Sequence, residues 1–209
     1  MKYSKLTNIA LIGSGGHARS SINLLLSFFP IQNINIFDDS FEDGSKELIN
    51  SIPLVGLTNA IKPEQKIFLS VGDNYLRRQY FSKYRDQILK DNICHNNSFL
   101  EQNIKMGSSN QIYANSYINS EVIIGDNNII NTGSIIEHNS ILGSHNHISV
   151  GVKICGRVSI GDECFIGAGA IILNNLSICN NVTIGAGSVV IRNINNEGTY
   201  VGNPARRIK

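Results

Sequence analysis

The sequence predicts a small α/β domain of half-Rossmann type followed by a parallel β-helix built from hexapeptide repeats. Three observations carry this. Every sixth residue from Ile112 to Val190 is a large branched aliphatic (Ile112, Ile118, Ile124, Ile130, Ile136, Leu142, Ile148, Ile154, Ile160, Ile166, Ile172, Ile178, Ile184, Val190), and Leu100 and Met106 extend the column upstream. A period of six is neither the helical 3.6 nor the strand period of two, and it is the repeat of a β-helix in which three hexapeptides make one coil. Glycines recur one coil apart, at Gly125, Gly143 and Gly161 and again at Gly167 and Gly185. Ahead of the repeats, an apolar run leads into a glycine-rich turn and then a helical pattern.

In chain order, Lys5–Ile12 reads as a buried strand that runs into Gly13-Ser14-Gly15-Gly16-His17-Ala18. Ala18–Phe29 reads as a helix stopped by Pro30, and Asn33–Phe37 as a second strand closed by Asp38-Asp39. Gly13, Gly15 and Ala18 fit G-x-G-x-x-A, and Asp38 lies where a dinucleotide fingerprint places the acid that binds ribose hydroxyls. Pro53–Leu57 and Lys66–Val71 supply further strands. Gly72-Asp73-Asn74 starts a helix to about Leu89 that carries Arg77, Arg78, Lys83 and Arg85. Most of these charges read as a solvated face; Arg77, one turn inside the helix, is placed to reach a phosphate. Residues 1–92 therefore form one domain, about half of a full dinucleotide fold, which favours a mononucleotide over NAD.

Residues 93–209 form the second domain. Ile93–Gln111 is expected as a transition in which the register begins loosely. Within the repeats, the residue two before each aliphatic also points inward and is often small, as at Ser134, Ser140, Ala170 and Ser188. One coil cannot bury its own face, so coils must stack; roughly five at about 4.8 Å each give a prism about 24 Å tall. After Val190 the chain is expected to leave the prism and end in Tyr200-Val201-Gly202-Asn203-Pro204-Ala205-Arg206-Arg207.

Composition narrows the function. The chain has 209 residues, a net charge of +2 and 16% charged residues, too balanced for an electrostatic nucleic-acid binder. The first residues lack a signal-peptide pattern, and Leu24–Phe29 is too short to span a bilayer, so a soluble cytoplasmic protein with no membrane partner is expected. Cys94, Cys155, Cys164 and Cys179 contain no C-x-x-C pair. They are expected to be reduced thiols, with Cys164 in a small inward position.

These features together closely resemble the bacterial nucleotide-sugar acetyltransferases that modify UDP-4-amino sugars, grouped with the sialic acid O-acetyltransferases. The resemblance rests on Gly13-Ser14-Gly15-Gly16-His17, Phe37-Asp38-Asp39, Val71-Gly72-Asp73-Asn74 with Arg77, Ile136-Glu137-His138, His147-Ile148-Ser149-Val150-Gly151 with Cys155-Gly156, and Val201-Gly202-Asn203-Pro204-Ala205. It implies a left-handed helix, a homotrimer, acetyl-CoA as co-substrate, no metal, and a nucleotide-sugar substrate bound by the N-terminal domain. By position, His138 looks like the catalytic base, His147 like the histidine on the acetyl-CoA side, and the Gly156 amide like the donor to the thioester oxygen. Gly167, Gly185, Arg206 and Arg207 look like the CoA wall. Gly13, Ser14, Gly15, Gly16, His17, Asp38, Asp39, Asn74 and Arg77 would line the nucleotide-sugar cleft. The chain departs from the family at Asn139, where relatives often carry an acid after the base. Glu137, preceding it, is the carboxylate expected beside the imidazole, and the orientation of His138 is left open.

The repeat supports this independently. His138 lies two residues past inward Ile136, near a corner, and Gly156 stacks one coil above it, about 4.8 Å away. A base and a backbone donor one coil apart suit acyl transfer, since imidazole can take a proton near neutral pH while the amide stabilises an oxyanion. Three readings follow: acetylation of the 4-amine of a nucleotide-linked, UDP-type sugar; acetylation of a hydroxyl, as on sialic acid; or a zinc lyase of the β-helix carbonic anhydrase type, with His138, His145 and His147 as ligands. On the first two, His145 and His95 read as incidental.

Overall fold

The structure is a computed structural model that describes residues 8–43 and 47–209. It divides into two compact units, with the boundary along the chain between Lys90 and Asp91.

In the first unit, β1 (Ile9–Ile12) follows the continuous apolar run and is buried throughout. The expected strand start at Lys5–Thr7 lies outside the described residues. α1 (Gly16–Leu26) follows, then β2 (Ile34–Phe37), β3 (Leu48–Ile49), β4 (Ile52–Gly56), β5 (Lys66–Leu69) and α2 (Asn74–Lys83). The sheet order is β3-β4-β2-β1-β5, with β1 parallel to both β2 and β5 and β3 antiparallel to β4. β1 is thus where the strand order reverses, and the crevice beyond its carboxyl end is the expected ligand position in an open α/β sheet. α1 stops at Leu26 instead of Phe29, because Ser27, Phe28 and Phe29 turn back onto Leu24 and Leu25 and the residue before Pro30 disfavours helix. α2 also ends early. Beyond it Ile88 bridges to Ile67, and buried Ile88 joins Ala10, Ile12, Phe37, Ile67 and Leu69 in one core.

The second unit is a solenoid of three parallel faces. The first face stacks Phe99–Leu100, Tyr117–Ile118, Ile135–Ile136, Lys153–Ile154, Ile171–Ile172 and Val189–Val190; the second runs from Lys105–Met106 to Ser177–Ile178. The third runs from Ile93–Cys94 through His147–Ile148 to Val182–Ile184. Inward aliphatics from Ile112 to Val190 form one core, and each fully buried isoleucine contributes about 1.5–3 kcal/mol. Two expectations change here. The region 93–111 is regular, because Cys94, Leu100 and Met106 take the inward slot and pack on the same core. Nor does the chain leave after Val190. Gly198–Val201 adds a parallel strand on Val182–Ile184, and Arg206–Arg207 folds back antiparallel on it.

The inward slot also holds a polar feature. Asn110, Asn128 and Asn146 are all buried, one per coil. Asn92 Oδ1 accepts from the Asn110 backbone N–H, Asn110 Oδ1 from that of Asn128, Asn128 Oδ1 from that of Asn146, and Asn146 Oδ1 from that of Cys164. This asparagine ladder satisfies backbone donors that a purely apolar core would leave unpaired. Above it Cys164 is fully buried, and burial pushes its thiol pKa up to about 12. Among the described residues none of the four cysteines forms a disulfide.

Candidate active site

The first corner of the solenoid, between the first and second faces, carries His138. Ile136 points inward and Ser140 is buried, so His138 and Asn139 between them fall on the exposed turn. Asn139 has a φ of 57°, a left-handed conformation that asparagine tolerates well. The imidazole lies against Gly156 one coil above: a Cβ built there would stand 2.7 Å from Nε2 and 2.8 Å from Cε1. Gly156 is glycine because the ring occupies its side-chain space. Among the described residues its amide has no hydrogen-bond acceptor.

The partner of the imidazole is not the expected one. His138 Nδ1 is 2.9 Å from Asn139 Oδ1, and Asn139 Nδ2 donates to Glu121 one coil below. Glu137 instead accepts from Asn119 Nδ2, also one coil below, so it is tied to the first face and has no hydrogen bond to His138 among the described residues. Its expected place beside the imidazole is corrected to Asn139. An open cleft of about 540 Å³ adjoins the corner, with Glu121 and Asn139 on its wall.

His147 sits on the third face, its Cα paired with Ile129 and Phe165, its ring edge-on to Phe165 at 5.2 Å. It points away from the core as expected, yet is only 8% exposed. Gly167 and Gly185 follow strands of the same face. A Cβ at Gly167 would meet Ile184 O and Ala186 N at 2.6 Å, and one at Gly185 would meet Val201 Cγ1 at 2.7 Å, so stacking of the next coil explains both glycines. Arg206 and Arg207 are exposed and line a cleft of about 210 Å³ with Tyr200 and Arg192. Arg192 was missed in the sequence because it falls between the repeats and the tail. Thus His147, Gly167, Gly185, Arg206 and Arg207 share one face and its following corner, while His138 and Gly156 occupy the corner opposite that face.

In the first unit, Gly13 has a φ of 110°, and a Cβ there would stand 2.8 Å from Ser70 O, so its role is structural. Gly15 and Gly16 differ. A Cβ at either meets nothing within 4 Å, and neither has a positive φ. Nothing in the chain demands glycine there. They open α1, whose N-cap Gly15 makes no side-chain cap and whose first turn carries no acid. Such a helix start suits an anion. Ser14 and half-buried His17 flank it.

The carboxylates and Arg77 are less free than expected. Asp38 Oδ2 accepts from the Ser14 N–H at 2.7 Å, and Oδ1 accepts from the Ser40 N–H and hydroxyl. Burial works to raise its pKa, but these bonds outweigh burial and hold the carboxyl below its usual range. Asp38 therefore braces the glycine turn. Asp39 accepts from Thr58 N–H and Oγ1 and from Tyr80 Oη. There too burial raises the pKa and the hydrogen bonds bring it down overall. Arg77 is fully buried, its guanidinium donating to Val71 O, Gly72 O and Asn74 Oδ1. Its expected reach to a phosphate is corrected: Arg77 is a strut for the loop after β5, and Asn74 is spent on it.

Among the described residues no group of three or more His, Cys, Asp or Glu is arranged to hold a metal ion. His145 lies on the second corner against Asn127, so the expected zinc triad of His138, His145 and His147 is spread over two corners and a face. No described helix is long and apolar enough to cross a membrane.

A family profile described as the PglD N-terminal domain matches residues 8–84, and one described as bacterial transferase hexapeptide (six repeats) matches residues 157–192. Among curated protein sequences none matches. Among solved structures, the acetyltransferase domain of PglB from Neisseria gonorrhoeae in complex with acetyl coenzyme A is 27% identical, covering 96% of this chain and 98% of that one, with a TM-score of 0.84. PerB from Caulobacter crescentus, in complex with CoA and GDP-perosamine, is 28% identical over 98% of both chains, with a TM-score of 0.86. WeeI from Acinetobacter baumannii, at 20% identity over 97% of this chain and 100% of that one and a TM-score of 0.88, shows the same fold.

Proposed function

Because the chain belongs to the left-handed β-helix acetyltransferases that join a PglD-type N-terminal domain to hexapeptide repeats, an acetyl-CoA-dependent enzyme class, we propose that it acetylates the 4-amine of a nucleotide-linked sugar, with UDP as the nucleotide. The observation that carries the reading is the contact between His138 Nε2 and Gly156. With the acetyl thioester at this corner, Nε2 takes a proton from the amine as its nitrogen attacks the carbonyl carbon. The Gly156 N–H donates to the oxygen as it becomes an oxyanion. Collapse reforms the carbonyl and breaks the carbon–sulfur bond, the leaving sulfur takes the proton held on Nε2, and CoA departs as its thiol with the amide as product.

The N-terminal unit holds the nucleotide sugar. Gly15 and Gly16 at the uncapped start of α1 let a phosphate approach the backbone closely, and Asp38 sets the turn that presents them. Arg192, Arg206 and Arg207 supply the positive charge for the CoA phosphates. An amine acceptor is favoured over a hydroxyl because a relative of 28% identity is named as a perosamine N-acetyltransferase. The enzyme works as a cytoplasmic homotrimer, in which His147 of one subunit completes the site of His138 in the next. The test is incubation with labelled acetyl-CoA and a panel of 4-amino sugars on UDP, GDP and dTDP, beside sialic acid. Amide-linked label on a UDP sugar is expected. Label confined to sialic acid would establish O-acetylation instead, and label on GDP or dTDP sugars alone would overturn the choice of nucleotide.

A further inference from the structure

We infer that Glu121 and Asn139 are positioning residues that hold the proton on Nδ1 of His138 and leave Nε2 bare. A carboxylate only accepts hydrogen bonds. Glu121 therefore requires the amide nitrogen of Asn139 to face it, and Asn139 Nδ2 does donate to Glu121 Oε2. That turns Oδ1 toward His138, where it stands 2.9 Å from Nδ1. An amide oxygen can only accept, so Nδ1 must be the donor. A neutral imidazole has a single N–H, so Nε2, the nitrogen against Gly156, keeps its lone pair. An asparagine alone could present either end; the carboxylate one coil away decides which.

Corner stacking by itself needs none of this. Asn103, Glu121, Asn139, Arg157 and Asn175 form a column of left-handed residues one coil apart, and Arg157 Nε donates to Asn175 Oδ1 with no imidazole involved. Glu121 also lines the open cleft beside Asn139, where it could instead touch an acceptor. The two roles separate experimentally. The inference rests on His138 as the base for its catalytic consequence, but not for the proton position.

Glu121→Gly removes the carboxylate and suits the backbone, since φ there is 62° and glycine tolerates that region. Ring nitrogen NMR shifts of His138, assigned by their absence in His138→Gln, report the tautomer. The wild type is expected as the Nδ1–H form and Glu121→Gly as a mixture or the Nε2–H form. The kcat should fall on the order of tenfold to a hundredfold, with KM for acetyl-CoA and for the acceptor nearly unchanged. The double variant Glu121→Gln with Asn139→Asp rebuilds the chain with the charge one residue nearer, and should restore both tautomer and kcat. An unchanged tautomer in Glu121→Gly, or a double variant that restores neither, overturns the relay, and a selective rise in acceptor KM would place Glu121 on the substrate instead. If the tautomer shifts as expected while His138→Ala keeps its turnover, the relay stands and the general-base reading fails.

Discussion

His138 and Gly156 touch across one coil, with Nε2 at 2.7 Å from the position a Gly156 Cβ would take. The two residues are separated by one full turn of the repeat, so the contact is set by the stacking of the solenoid and not by a loop. His138→Ala is expected to lower kcat by roughly 10² to 10⁴ while leaving the Kd for acetyl-CoA nearly unchanged. Gly156→Ala should act through geometry, displacing the imidazole and costing on the order of 10²-fold in kcat. Steady-state kinetics with binding calorimetry checks both, and wild-type turnover in His138→Ala removes it from the chemistry.

The glycine turn separates fold from binding. Gly15→Ala and Gly16→Ala have open space, so thermal melting should match the wild type while nucleotide-sugar affinity drops. Gly13→Ala meets Ser70 O and a φ of 110°, and should destabilise the N-terminal unit before any effect on binding is read. Equal melting curves for all three variants would refute this division.

Arg77→Ala leaves the partly buried Val71 and Gly72 carbonyls and Asn74 side chain without the donor that the fully buried guanidinium supplies. A loss of roughly 2–4 kcal/mol is expected for such a break in a buried network. Urea denaturation measures it. A stable variant that has lost only phosphate affinity would return Arg77 to ligand contact.

Acid should act on Asp38 and Asp39. Both have pKa values lowered in the folded protein. A lowered folded pKa gives stability that is fully present above the unfolded value of about 3.9 and is lost as pH falls through the folded value. Their contribution should be constant from pH 5 to 8. Below pH ~4 stability should fall, and Asp39→Asn should flatten that fall. An unchanged acid slope in the variant would show that Asp39 is not a source of it.

His138 and His147 lie on opposite sides of one solenoid, a corner against a face. They cannot meet on one acetyl group within a subunit. In the proposed homotrimer, His138→Ala and His147→Ala, each expected to be nearly inactive alone, should recover part of the activity when unfolded together and refolded into mixed trimers. Mixed trimers that form and remain inactive would rule out a shared site.

The fold was legible in the sequence because burial in a solenoid repeats: each inward aliphatic stacks on the next, so Ile112 to Val190 declare themselves without reference to distant residues. Cys94 and Tyr200 were not legible as ends of the solenoid, because they fill the slot with less typical side chains. His138 and Gly156 could be read as neighbours because one coil separates them. Glu121 is also one coil from Asn139, but a glutamate in a polar corner carries no mark that distinguishes it from solvated surface. Arg77 misled for the opposite reason: a helix start with arginine suggests phosphate, and only the path of the preceding loop shows that its carbonyls claim the guanidinium first.

The asparagine ladder from Asn92 to Asn146 joins each coil to the next at a separation of 18 residues. Length in this half of the protein therefore comes in quanta. A deletion or insertion of any other size that is taken up within the strands would shift every later asparagine out of line with its acceptor and turn the inward aliphatics toward water. Loss or gain of one whole coil keeps the ladder in step and moves His138 along the axis by a fixed increment of about 4.8 Å. The solenoid thus acts as a ruler with discrete marks: its stacked length changes by whole divisions, and an insertion of any other size has to leave the stack as a loop at a corner.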